Sequence, residues 1–185
     1  MAEMQGDQFP MTTWVNSNLD GIEETLDTTT KEVNTMMDKL DGLIDILNDP
    51  LGKAKEAAMA EAKVLCNQIK DKIKATTEKA TESATEVDTN ATAQKAQIDA
   101  TYQALTAIPT SLPSDPGQLA SALVTALQNI TKVLGIDKIA TQKADAEVAN
   151  TVKTAKMASI GQKTIALGQK VVIVASKAAK IGISI

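Results

Sequence analysis

The stretch VNSNLDGIEETLDTTTKEVNTMMDKLDGLIDIL, residues 15–47, decides the fold. Its apolar residues are Val15, Leu19, Ile22, Leu26, Val33, Met36, Leu40, Leu43 and Leu47, and Thr29 fills the one gap in register. Steps of three and four average 3.5 residues, the period of a coiled-coil seam. Leu19, Leu26, Val33, Leu40 and Leu47 take the a positions; Val15, Ile22, Thr29, Met36 and Leu43 take d. Leucine at a with mixed d residues does not specify a parallel dimer, which prefers β-branched a and leucine d. Beyond Met37 the flanks turn apolar as well (Ile44, Ile46), so the seam widens toward two neighbours, as in a bundle or trimer. Thr12 or Thr13 is the expected N-cap, and Pro50 ends the helix by pushing Asp49 out of the α region. Two readings stand: a seam between chains, or an amphipathic helix within a bundle.

The C-terminal end carries a second seven-residue repeat: KMASIGQ (156–162), KTIALGQ (163–169), KVVIVAS (170–176) and KAAKIGI (177–183). Lys156, Lys163, Lys170 and Lys177 form one stripe along a helix. Ile160, Leu167, Val174 and Ile181 form another, joined by Met157, Thr164, Val171 and Ala178. Gly161, Gly168, Ala175 and Gly182 make a line of small residues, which predicts close approach of another helix. A third face, Ala158, Ile165 and Val172, is also apolar. The β-branched run 171–174 keeps strand as a local alternative, and the terminal IGISI is compatible with extended chain.

Charge separates along the chain. Residues 1–50 hold 11 acidic residues and 2 lysines, 51–150 are nearly balanced, and 151–185 hold 6 lysines and no acid. An acidic front and a basic tail attract, within one chain or between neighbours. The lysine stripe therefore has three open readings: pairing with the acidic seam of the same or another chain, a solvated face, or contact with a lumen, phosphate or anionic membrane.

Between the repeats, residues 53–106 contain neither proline nor glycine. Ala62, Leu65, Ile69, Ile73, Thr76, Ala80, Ala84, Val87 and Ala91 follow an eleven-residue period, which predicts a long, straight helix. Its apolar face is thin from 76 to 96, where fraying or ordering by partners is expected. Residues 108–117, IPTSLPSDPG, read as a hinge. A helix starts at Pro116, stops at Gly135, and a further one is capped by Asp137.

Of 185 residues none is His or Arg, one is Cys (Cys66) and three are aromatic. No His-based triad, His/Cys zinc set or bidentate phosphate fork can be built from them. Acid pairs such as Glu23/Asp27 and Glu82/Glu86 are helix neighbours at i, i+4, the pattern of a solvated face. Cys66, beside Leu65, reads as a small core residue. The acidic start is not a secretory signal, and the best apolar run, 165–176, is too short to span a bilayer. Catalytic, cofactor and metal residues are expected to be none.

The expected fold is all-α: an elongated helical hairpin or coiled-coil assembly with long helices and a proline-rich kink. It divides into an acidic heptad helix (1–50), a long Ala/Thr/Lys-rich helix (51–107), the hinge (108–117) and C-terminal helices with the basic repeat (118–185). The interaction residues are Val15, Leu19, Ile22, Leu26, Val33, Met36, Leu40, Leu43, Leu47, Ile160, Leu167, Val171, Val174 and Ile181, with the basic stripe Lys156, Lys163, Lys170 and Lys177.

On the acidic heptads (15–47), the proline-rich kink (108–117) and the glycine-spaced tail (156–185), the chain resembles small all-helical proteins of bacteriophage virions, from tail, baseplate or ejection apparatus. The resemblance implies a non-enzymatic structural subunit, homo-oligomeric or joined to other structural proteins, located in the virion after synthesis in host cytoplasm. It implies no sequence-specific nucleic-acid contact. Residues 53–100 also resemble desiccation-protective eleven-residue-repeat proteins. A membrane-active protein whose C-terminal helix inserts or binds an anionic surface is the alternative expectation.

Overall fold

The computed structural model describes residues 10–49, 52, 55–106 and 116–185, with side chains described up to 104 and again from 138. Three α-helices account for nearly all of them: α1, Pro10–Asn48; α2, Lys55–Thr106; and α3, Pro116–Lys180. No strand occurs among the described residues, so the β-branched run 171–174 is helical. The fold is all-α, with hairpin-like helix packing.

Prolines punctuate the chain. Pro10 and Pro116 open helices, where a missing N–H costs nothing and φ is already helical. The hinge residues 108–115 and the N-terminal stretch 1–9 lie outside the described residues. Between 117 and 185 there is no proline, and α3 runs unbroken through Gly135 and Asp137. The expected stop at Gly135 is thus corrected. One internal glycine costs about 1 kcal/mol, which propagation on both sides outweighs.

Helix α3 ends instead at Gly182, whose φ of +77° only glycine adopts without strain. Ile183 N–H donates to the Ala178 carbonyl (2.9 Å) and Gly182 N–H to that of Ala179 (3.1 Å), a Schellman cap, with Ile183 buried. The α1–α2 connection holds a second constrained glycine. A Cβ on Gly52 would lie 3.3 Å from the carbonyl oxygens of both Ile46 and Asp49.

The chain divides into two compact units. One comprises residues 18–86 and 155–185, with a segment from each helix. In it α2 runs antiparallel to α1: Lys39 pairs with Glu61 (3.2 Å), Glu32 with Lys72, and the Thr29 and Thr76 hydroxyls share a hydrogen bond of 3.2 Å. Its core is built from Leu19, Leu26, Val33, Leu40 and Leu43 on α1, Leu65, Cys66, Ile69 and Ile73 on α2, and Ile160, Leu167, Val174 and Ala178 on α3. Ala80 and Ala84 are buried and helical too, so part of the thin middle face is covered by the chain itself.

The other unit comprises residues to Ser17 and 87–154. Met11, Val15, Val87, Ala91, Ile139, Ala146 and Ala149 are buried there. Alanines gain little from burial, and polar groups do more of the positioning. Asp145, only 2% exposed, accepts from the N–H groups of Met11 (2.9 Å) and Thr12 (3.0 Å) and from the Thr12 hydroxyl (2.6 Å). A carboxylate on α3 thereby caps the first turn of α1, whose N–H groups have no helical partner and sit at the positive end of the dipole. The expected self-capping by Thr12 or Thr13 is replaced, because α1 starts earlier, at Pro10. Lys153, also buried, donates to Asp88 (2.6 Å) and Thr92 (3.2 Å).

Candidate functional site

The two charged ends of the sequence meet in one ladder. Lys156 pairs with Asp20, Lys163 with Asp27 (2.7 Å) and Glu23 (3.7 Å), Lys170 with the Asn34 amide oxygen (2.7 Å), and Lys177 with Asp41. The four hydrogen-bonded rungs each join residues 136 apart, so α1 and α3 run parallel in this unit. The geometry follows from the two repeats. Lysines seven apart on one helix face acids or asparagine seven apart on the other, on the same side of the apolar seam. Of the three readings of the lysine stripe, pairing with acids of the same chain describes its contacts here.

The rungs lie at the surface, with the lysine side chains about one-third exposed or less and the aspartates about half exposed. Exposed pairs contribute roughly 0.2–1 kcal/mol each, so the ladder orients the helices and the apolar seam holds them. The hydrogen bond that Lys163 donates to Asp27, joined by the charges of Asp27 and Glu23, raises the Lys163 pKa above its ordinary 10.5. Glu23 and Asp27, considered above as a carboxylate pair, are thus both partners of one lysine.

The seam residues expected between chains are covered within the chain. Val15, Leu19, Leu26, Val33, Leu40, Leu43, Ile160, Leu167 and Val174 are buried in the single chain, and Ile22, Met36, Leu47, Val171 and Ile181 are half-buried. Of the two readings of the N-terminal heptads, the burial matches an amphipathic helix within a bundle of the same chain. Tethered helices meet at high effective concentration, and matched charge orients them before another chain can intervene. The glycine line does not work as expected. A Cβ placed on Gly161 or Gly168 meets nothing within 4 Å among the described residues, so the space over them is open there.

What remains open is the outward face of α3. Ile165, Val172 and Ile173 are 64%, 70% and 45% exposed. From Ala158 to Ser176 this face also carries Gly161, Gln162, Ala166, Gly168, Gln169 and Ala175, and no charged residue. Lys163 and Lys170 lie on the flank and are engaged by α1. Ala158, Ile165 and Val172 were legible as an apolar stripe in the sequence; that this is the uncovered one was not, since the core-facing stripe is equally apolar.

A second charged cluster lies in the unit of residues 87–154. Lys95 bonds Asp99 (2.7 Å), Lys143 bonds Glu147 (2.7 Å) and lies 3.6 Å from Asp99, and the Lys143 ammonium sits 5.5 Å from the Tyr102 ring centre. The hydrogen bond donated by Lys95 holds the Asp99 carboxyl below its ordinary 3.8, and the one Lys143 donates to Glu147 holds Lys143 above its ordinary 10.5. Burial raises the Cys66 thiol, the opposite of activation. Among the described residues no group of three or more His, Cys, Asp or Glu could hold a metal ion, and no helix is long and apolar enough to cross a membrane.

Asp145 and Lys153 were missed in the sequence. Neither lies in a charge or apolar repeat, and their burial depends on which elements meet there. Comparison with family models, curated proteins and solved structures finds no match.

Proposed function

We propose that this chain is a non-enzymatic structural subunit that assembles with copies of itself through the outward face of α3. The observation that supports this is the uncharged outward face of α3 between Ala158 and Ser176, with Ile165 and Val172 both about two-thirds exposed. Contiguous exposed apolar faces mark contact sites. Open space over Gly161 and Gly168 beside projecting Ile165 and Val172 offers hollows and ridges on one surface. A two-fold interface needs such a self-complementary patch. Of the flanking lysines, Lys163 is neutralised by Asp27 and Lys170 is held to the side by the Asn34 amide, so the face itself stays uncharged. The heptad seams serve the subunit's own stability, and the assembly surface is separate from them. A place in a bacteriophage virion is part of this proposal and rests on the resemblance of the sequence.

Sedimentation velocity across a range of concentrations tests it. The wild-type chain self-associates, and Val172→Glu shifts it to monomer with an unchanged far-ultraviolet circular dichroism spectrum. A wild-type chain that stays monomeric at high concentration overturns self-assembly. If that monomer binds anionic vesicles and Val172→Glu abolishes the binding, the membrane-surface reading replaces it.

A further inference from the structure

In the unit of residues 18–86 and 155–185, a cavity of about 550 Å³ lies where α1 ends, α2 begins and α3 ends. Its walls include the side chains of Leu47, Met59 and Ile181, and three lysines reach it: Lys55, Lys63 and Lys180. The size falls in the range of small-molecule sites.

Lys39, Lys72, Lys156, Lys163 and Lys177 each hold an acidic partner. Lys55, Lys63 and Lys180 hold none among the described residues, and Glu56 is the one acid at the cavity. Lys31, Lys70 and Lys79 of this unit are without an acidic partner among the described residues as well, so what sets the cavity lysines apart is that three of them gather around one apolar recess. The first turn of α2 directs its positive end to the same place, since Lys55 and Glu56 open that helix. Like charges gathered around an apolar recess repel one another, and an anion carrying an apolar body relieves both that repulsion and the exposed carbon. Lysine stems add to the apolar wall while their ammoniums stay at the rim.

We propose that this cavity binds a long-chain carboxylate, its alkyl chain against Leu47, Met59 and Ile181 and its headgroup among Lys55, Lys63 and Lys180. The site lies apart from the outward face of α3 and stands whether or not that face assembles. The ammoniums and the alkyl wall both contribute, so neither a short carboxylate nor a long-chain cation satisfies it. The match is one of charge and chain length, with no chemical step.

Isothermal titration calorimetry with sodium dodecanoate below its micelle concentration tests the proposal on the full chain. Saturable binding of one molecule per chain is expected, with affinity rising about fourfold per methylene from octanoate to dodecanoate. The double variant Lys63→Glu/Lys180→Glu weakens binding at least tenfold; Lys63→Gln alone weakens it about threefold and serves if the double variant does not fold. Val172→Glu, which disrupts the proposed assembly face, leaves it unchanged. Absence of dodecanoate binding overturns the proposal, as does equal binding of dodecyltrimethylammonium, which would be adsorption on carbon alone. Undiminished binding by both lysine variants overturns it, and so does loss of binding in Val172→Glu, which places the alkyl chain on α3.

Discussion

Single residues divide into those that fill a period and those that fix a place. Leu26 is one of many heptad positions, whereas Asp145 has no repeat around it and caps the start of α1 through three hydrogen bonds. A seven-residue slip would leave the seam apolar and detach that cap. Gly42 does neither. It sits in the interior of α1, exposed, and a Cβ there meets nothing within 4 Å. Gly42→Ala should therefore stabilise the fold by about 0.5–1 kcal/mol, through helix propensity alone. Urea denaturation measures it; a loss of stability would mean that the position is packed against something.

At the scale of elements, the question is which interaction holds α1 to α3. Leu26 is fully buried and Asp27, its neighbour, is on the ladder. Truncating a buried leucine costs roughly 2–5 kcal/mol, whereas an exposed ion pair is worth about 0.2–1 kcal/mol. Leu26→Ala is thus expected to lower stability several-fold more than Asp27→Asn. The Asp27→Asn loss should also shrink as salt is raised, because screening weakens an exposed pair. Denaturant midpoints at low and high salt separate the two; comparable losses would make the ladder, not the seam, the principal bond. The ladder's contribution to alignment is modest in the same way. The observed offset matches three lysines with aspartate, and sliding α1 by seven residues in either direction still matches two.

For the whole molecule, acid and alkali act on separate groups. Asp99 has a lowered pKa, so its contribution is present above the ordinary 3.8 and is lost as pH falls through the folded value. Lys143 and Lys163 have raised values, so theirs is present below the ordinary 10.5 and is lost as pH rises through the folded ones. With no histidine in the chain, no side chain with an ordinary pKa titrates near neutrality. The thermal midpoint, followed by circular dichroism, should be flat from about pH 6 to 8, falling in strong acid and strong alkali. A slope inside the flat interval would reveal a strongly shifted carboxylate or lysine. The same scale shows what sequence reading can reach. Proline positions and the 3.5-residue period made α1 and the ends of α2 legible to within a few residues, and segregated charge brought the basic tail to the acidic front. Whether the two ends meet within one chain or across chains was not legible, because a heptad seam looks identical in both cases. The uncovered face of α3 and the cavity beside Lys63 were hidden for a related reason, as openness is a property of what fails to pack.

The constant spacing of the rungs has a consequence for how such a chain changes length. The α1–α3 rungs recur every seven residues, so a block of seven can be duplicated in both helices and the partners along this seam are found again one step along. Length along the α1–α3 seam is thus an adjustable quantity, altered in steps of about 10 Å at 1.5 Å per residue. A one-residue insertion in α1 or α3 turns lysine away from aspartate and leucine toward water, so it is expected to disturb the α1–α3 seam far more than a seven-residue insertion made in both helices.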